Sequence, residues 1–312
     1  MDSTTWLVSG LVPAAITFFA CVAANRFSPR DDRGESTTTP SGGYSCGPLI
    51  LAIGWAIAVI ASLVGHRIVS GDESSLAWPD DFWQRGYWGV ALAAVLLGAT
   101  TVRTLADSGG RWVVAALILF ATAAIGMPSG EGWEDMIPLH RGWMVLLGSS
   151  GLVGSWSLER MAVRRPTELR DCCGIDRWFP LVILATLAGP MFVAATTYGA
   201  LVQWTLAAIS ATAVCVAFAA AGRLPGAVGI VYPSAVFAMV MVSAGRFYSY
   251  EDHPWWSYVG LLWVGPAVSF TDWLVVRWLA GRRPLVRMMV AATVSILMVA
   301  VSAGLQSVPS VD

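Results

Sequence analysis

The sequence predicts an all-α, polytopic membrane protein: one bundle of about ten transmembrane helices with no sizeable soluble domain. Three observations carry that prediction. Of 312 residues, 56% are hydrophobic and only 12% charged, whereas soluble domains carry about 25% charged residues. Ten apolar segments recur along the chain at the length of roughly 20 residues that a bilayer core demands. Arginine, finally, is distributed unevenly between the alternate sides of those segments.

The segments fall at 6–25, 47–67, 87–105, 111–127, 142–158, 178–198, 200–221, 226–245, 257–279 and 285–305. The first has no basic leader and carries Arg26, Arg30 and Arg33 behind it, which reads as an uncleaved anchor with its N-terminus outside. A Ser, Thr, Pro and Gly-rich linker then leads to the second segment, which ends at His66 and Arg67. Segments three and five each begin near an Arg-Gly pair, Arg85-Gly86 and Arg141-Gly142, hinting at a repeated hairpin. Segments four and five are the shortest, and five holds Gly148-Ser149-Ser150-Gly151 and Gly154, which makes these two the candidates for a re-entrant or broken segment. Gly189-Pro190, Tyr232-Pro233 and Gly265-Pro266 interrupt segments six, eight and nine. Within a helix, Pro removes a backbone donor and frees a carbonyl.

Orientation follows from the polar stretch 159–177, ERMAVRRPTELRDCCGIDR, with five segments on either side. Placing it in the cytoplasm puts Arg26, Arg30, Arg33, Arg103, Arg111, Arg160, Arg164, Arg165, Arg170, Arg177, Arg223, Arg277, Arg282, Arg283 and Arg287 inside. Only Arg67, Arg85, Arg141 and Arg246 remain outside. Residues 1–312 thus read as a single transmembrane domain, with halves 1–158 and 178–312 joined by the cytoplasmic loop 159–177. Both termini are extracytoplasmic, and the expected location is the cell (inner) membrane. All 19 basic residues are Arg, a usage that fits a high-GC bacterial genome. Cys46, Cys172 and Cys173 fall in inner loops and Cys21 and Cys215 in inner halves of helices, so no disulfide is expected. The chain has no basic tail or basic amphipathic run, which excludes nucleic acid as an expected partner. The lipid bilayer is the expected partner, with other membrane subunits an alternative.

Candidate residues are few. Asp272 is the acidic residue read as lying inside a span, where a carboxylate costs about 2.5–3.5 kcal/mol on insertion scales and marks a functional candidate. Ser269 lies one turn earlier on the same face. With Gln203 and the breaks at Pro190 and Pro266, they form the candidate substrate-binding set for an unidentified small molecule. The alternative is a metal site at the outer face, where His66, His140, His253 and Glu131 all map. Imidazole and carboxylate suit zinc, but no compact ligand motif is present, and no other cofactor is expected. Gly148-Ser149-Ser150-Gly151 matches the pattern of an intramembrane serine nucleophile without a histidine base nearby, which favours helix packing for these residues. Together these features favour a transporter or permease-like protein for a small solute or lipid-like molecule. The alternatives are a non-catalytic subunit of a membrane complex and a metal-assisted enzyme at the outer face.

Overall fold

The computed structural model describes residues 3–27, 46–71, 79, 81–99, 109–129, 132–163, 179–197, 199–224, 227–248, 254–278 and 284–306. It is 92% helical, with no strand among the described residues. Helix α1 spans Leu7–Arg26 and opens with a π-helical turn over Leu7–Leu11. Helix α2 spans Gly47–Ser70 and closes on Gly71, whose φ of +70° only glycine adopts readily. A 3-10 turn over Phe82–Arg85 leads into α3, Gly86–Leu92, which continues through a π-helical turn over Ala93–Leu97. Then follow α4 (Gly109–Ile125), α5 (Ile137–Val163), α6 (Phe179–Thr197), α7 (Gly199–Ala220) and α8 (Val231–Tyr248). The chain continues with α9 (Trp255–Leu262), α10 (Val264–Trp278) and α11 (Pro284–Gln306).

Helix occupies every one of the ten apolar segments over its described residues, with α9 and α10 sharing the ninth. Five helices are individually long and apolar enough to cross a membrane: α1, α2, α6, α7 and the stretch Val228–Tyr248 containing α8. The bent pair α9–α10 makes a sixth. The protein is therefore a multi-pass membrane protein. Its apolar stretches in α4 and α11 are shorter than a full span.

Helix α8 forms the centre. Nearly all its residues from Val231 to Gly245 are buried, and α3, α4, α5, α6 and α9 pack around it. Outer surfaces are apolar: Leu11, Phe19, Leu117 and Ile296 are each about two-thirds exposed. In lipid such surfaces gain nothing from packing together, so cohesion comes from close fit and from polar contacts between helices. Gly54 of α2 lies against Ala20 of α1, so close that any side chain at 54 would collide with it. The Trp55 and Trp204 indoles donate to Thr212 Oγ1 (3.0 Å) and to the Val59 carbonyl (2.9 Å), tying α2 to α7. Cys21 and Cys215 are free, fully buried and hydrogen-bonded to each other between α1 and α7.

Two local expectations are corrected. Segments four and five are unbroken; the break lies in segment nine, at Trp263, because Pro266 has no N–H for the Leu262 carbonyl. The two Arg-Gly pairs are not equivalent either. Gly86 is buried against Val240 of α8, whereas Gly142 faces open space. Helix α5 also extends beyond 142–158 at both ends, taking Glu159–Val163 out of the stretch read as loop. The serine-motif glycines pack as expected: Gly148 abuts Phe120, and a Cβ on Gly151 would lie 3.0 Å from Leu119 Cδ2.

Candidate functional site

Helices α9 and α10 meet at 47° across Trp263. Two backbone interruptions come together here. In α6, Pro190 cannot supply the N–H that the Thr186 carbonyl would normally receive, just as Pro266 fails Leu262. A Cβ on Gly189 would sit 3.3 Å from Leu261 Cδ2 and 3.6 Å from the Leu261 carbonyl oxygen, so the Gly189-Pro190 stretch of α6 rests against the end of α9. A Cβ on Gly265 would lie 3.5 Å from Leu158 Cδ1 and 3.9 Å from Thr186 Cγ2, and one on Gly154 3.7 Å from Pro266 Cδ. Small residues thus bring α5, α6 and α10 together at the two breaks.

Beyond the break, Val264, Val268, Asp272 and Val275 are buried at spacings of four, four and three. That stripe is the inward face of α10, so Asp272, 6% exposed, faces protein rather than lipid. The Ser269 hydroxyl beside it is buried with no hydrogen-bond partner among the described residues. Four of the candidate residues, Pro190, Pro266, Ser269 and Asp272, therefore sit on two helices in contact. Gln203 stands apart, half-buried on α7, which packs on α1, α2 and α6.

The metal candidates scatter. His66 is half-buried near the end of α2, and His140 is buried in the first turn of α5. His253 and Glu131 lie outside the described residues, as do Cys172 and Cys173. Among the described residues, no three His, Cys, Asp or Glu side chains converge as a metal group.

His140 has a notable setting. It lines a cleft of about 330 Å³ between the end of α4 and the start of α5, together with Met127, Pro128, Trp133, Glu134 and Met144. Its ring packs against Phe247 at 5.0 Å and Trp133 at 5.7 Å, and Trp143 meets Phe247 at 6.1 Å. The imidazole donates to the Pro128 carbonyl, while Nε2 is buried with no partner, which assigns the proton to Nδ1. Burial lowers the pKa of this ring, which precedes the apolar segment 142–158, and the Pro128 bond offsets part of that effect.

A third cluster was not anticipated. Arg111 at the start of α4 forms an ion pair through Nη1 with Glu159 Oε1 near the end of α5. The Tyr232 hydroxyl in the first turn of α8 donates to Glu159 Oε2 at 2.7 Å, and its ring lies 5.3 Å from the Arg111 guanidinium carbon. All three are buried, and Arg111 Nε and Nη2 have no partner among the described residues. Sequence reading placed Glu159 in a polar loop and counted Arg111 only for its charge. The available signal was the four-residue spacing of Trp156 and Arg160, which stack at 4.3 Å as they do on a continuing helix.

No family model, curated protein or solved structure matches the chain. Chemically, the broken-helix region offers two carbonyls that lack their usual amide donor, a hydroxyl and a carboxylate. The cleft offers an imidazole lone pair among thioethers and rings, and the Arg111 cluster offers a closed ion pair.

Proposed function

We propose that the protein is a transporter or permease-like protein of the cell (inner) membrane, with ten spans, both termini extracytoplasmic and a small solute or lipid-like molecule as cargo. The observation that carries this reading is the break at Trp263, set against the Gly189-Pro190 stretch of α6, with the Ser269 hydroxyl and Asp272 buried in the following turns. Discontinuous helices at membrane depth are tolerated where they are enclosed by protein or line a cavity, and many transporters bind cargo at such points.

Helix-end contacts support ten-fold alternation across the bilayer. Alternation assigns the ends near 47, 111, 159 and 231 to one face. Arg111 pairs there with Glu159 and Tyr232, and Gly229 abuts the Pro48 carbonyl. At the opposite ends the Phe82 N–H donates to the Tyr248 hydroxyl at 3.1 Å, and Trp133, His140 and Trp143 meet Phe247. The arginine bias then makes the Arg111 face cytoplasmic.

The test is access to the break. In a variant with the five native cysteines replaced, Ser269→Cys introduces a thiol one turn below Pro266. A membrane-impermeant thiol reagent applied to oriented vesicles is expected to modify it from one side, and Asp272→Asn to change that rate. Complete protection from both sides, in protein that remains folded, would overturn the reading.

A further inference from the structure

We propose that the cleft between α4 and α5 binds a soft monovalent cation, Cu(I), through the Met127 and Met144 sulfurs and His140 Nε2, with the Trp133 indole beside them. This is a different donor set from the scattered histidines and carboxylates of the sequence reading, and it is independent of the role of α10.

The argument starts from Nε2 of His140. A nitrogen buried without a hydrogen bond is destabilising, and His140 is only 7% exposed. Its other nitrogen donates to a main-chain carbonyl. That is the arrangement which fixes the tautomer of a metal-binding histidine and directs the free lone pair to the ion. The imidazole is therefore held ready as a ligand, and nothing among the described residues uses it.

The donors around it select the ion. His140 and Met144 are four residues apart on α5, so they lie on one side of that helix. Met144 lines the cleft with His140, and Met127 enters from the end of α4. Thioether sulfur binds Cu(I) and discriminates against hard divalent ions, which want carboxylates and water. Glu134 is the only carboxylate and Arg141 the only arginine among the residues lining the cleft, and no convergent carboxylate-histidine group exists among the described residues. Trp133, 5.7 Å from the imidazole, provides an electron-rich face suited to a weakly hydrated cation. Phe247 and Trp143 complete an apolar surround. The cleft is open at the end of the bundle, which gives the ion a way in.

The experiment uses the full chain in detergent under anaerobic, reducing conditions, titrated with Cu(I) against a chromogenic chelator. Because five cysteines can also bind Cu(I), the readout is the difference between wild type and variants. Wild type is expected to hold one more equivalent than Met127→Leu/Met144→Leu, with copper X-ray absorption showing mixed sulfur and nitrogen neighbours. Each single leucine variant should weaken that equivalent by about tenfold or more, a loss of the size seen when a metal's supporting groups are removed. Met→Leu keeps volume and apolar character, and the two single variants lie on different segments, one after α4 and one in α5, so a folding defect in one leaves the other informative. Equal binding by wild type and all variants would overturn the proposal. So would zinc displacing Cu(I) from this equivalent, which would indicate a harder site.

Discussion

The two ends of α5 are held by opposite means. At one end Glu159 is enclosed by the Arg111 guanidinium and the Tyr232 hydroxyl, so α4, α5 and α8 are joined by charge. At the other end α5, α8 and the turn before α5 meet through Trp133, His140, Trp143 and Phe247, joined by ring faces and edges around an imidazole nitrogen with no partner among the described residues. The ionic end is intolerant, because losing either partner leaves a bare charge in low dielectric. The aromatic end is graded: each ring contributes a modest amount, and the remainder can shift to fill space. A bundle built this way is tied at one end and adaptable at the other, and the cleft lies at the adaptable end.

Mutations can sharpen that contrast. Glu159→Ala should have the largest effect, about 3–5 kcal/mol of stability, because Arg111 is left buried and unpaired. Equilibrium unfolding in mixed micelles would measure it. The double replacement Arg111→Met/Glu159→Leu should restore most of the loss, and failure to do so would refute the ionic account. Tyr232→Phe removes only the hydrogen bond to the carboxylate, with an expected cost of about 1.5–3 kcal/mol in the same assay.

At the aromatic end, Phe247→Leu should cost about 1–2 kcal/mol, since it removes edge contacts to three rings from a half-buried position. A cost as large as that of Glu159→Ala would erase the distinction between the ends. Trp204→Phe, remote from both, should cost about 1 kcal/mol for the lost bond to the Val59 carbonyl, measured by the same unfolding curve.

Much of the architecture was legible because hydropathy is a local property. Every apolar segment became helix, and the Pro266 break was visible as Gly265-Pro266, although its companion in space, Pro190, lies 76 positions earlier. Only the packing of α6 on α9 and α10 joins them. Asp272 stood out because a carboxylate inside apolar sequence is locally conspicuous. Glu159 did not, because it sits at the edge of an arginine-rich stretch and its burial depends on Arg111 and Tyr232, 48 positions before it and 73 after. His140 was noticed for its chemistry, but the open coordination position on Nε2 required the Pro128 carbonyl to be in place. Pairings between distant segments are what a single sequence withholds.

The proline interruptions also give the α6–α10 region a polarity. Thr186 and Leu262 each present a carbonyl that cannot receive its usual amide proton, since the residues four positions on are Pro190 and Pro266. Both therefore contribute a carbonyl oxygen that lacks its usual amide donor, and Asp272 lies on the buried stripe of the same region. On the proposed transport reading, a cargo dwelling beside these carbonyls should present hydrogen-bond donors to them.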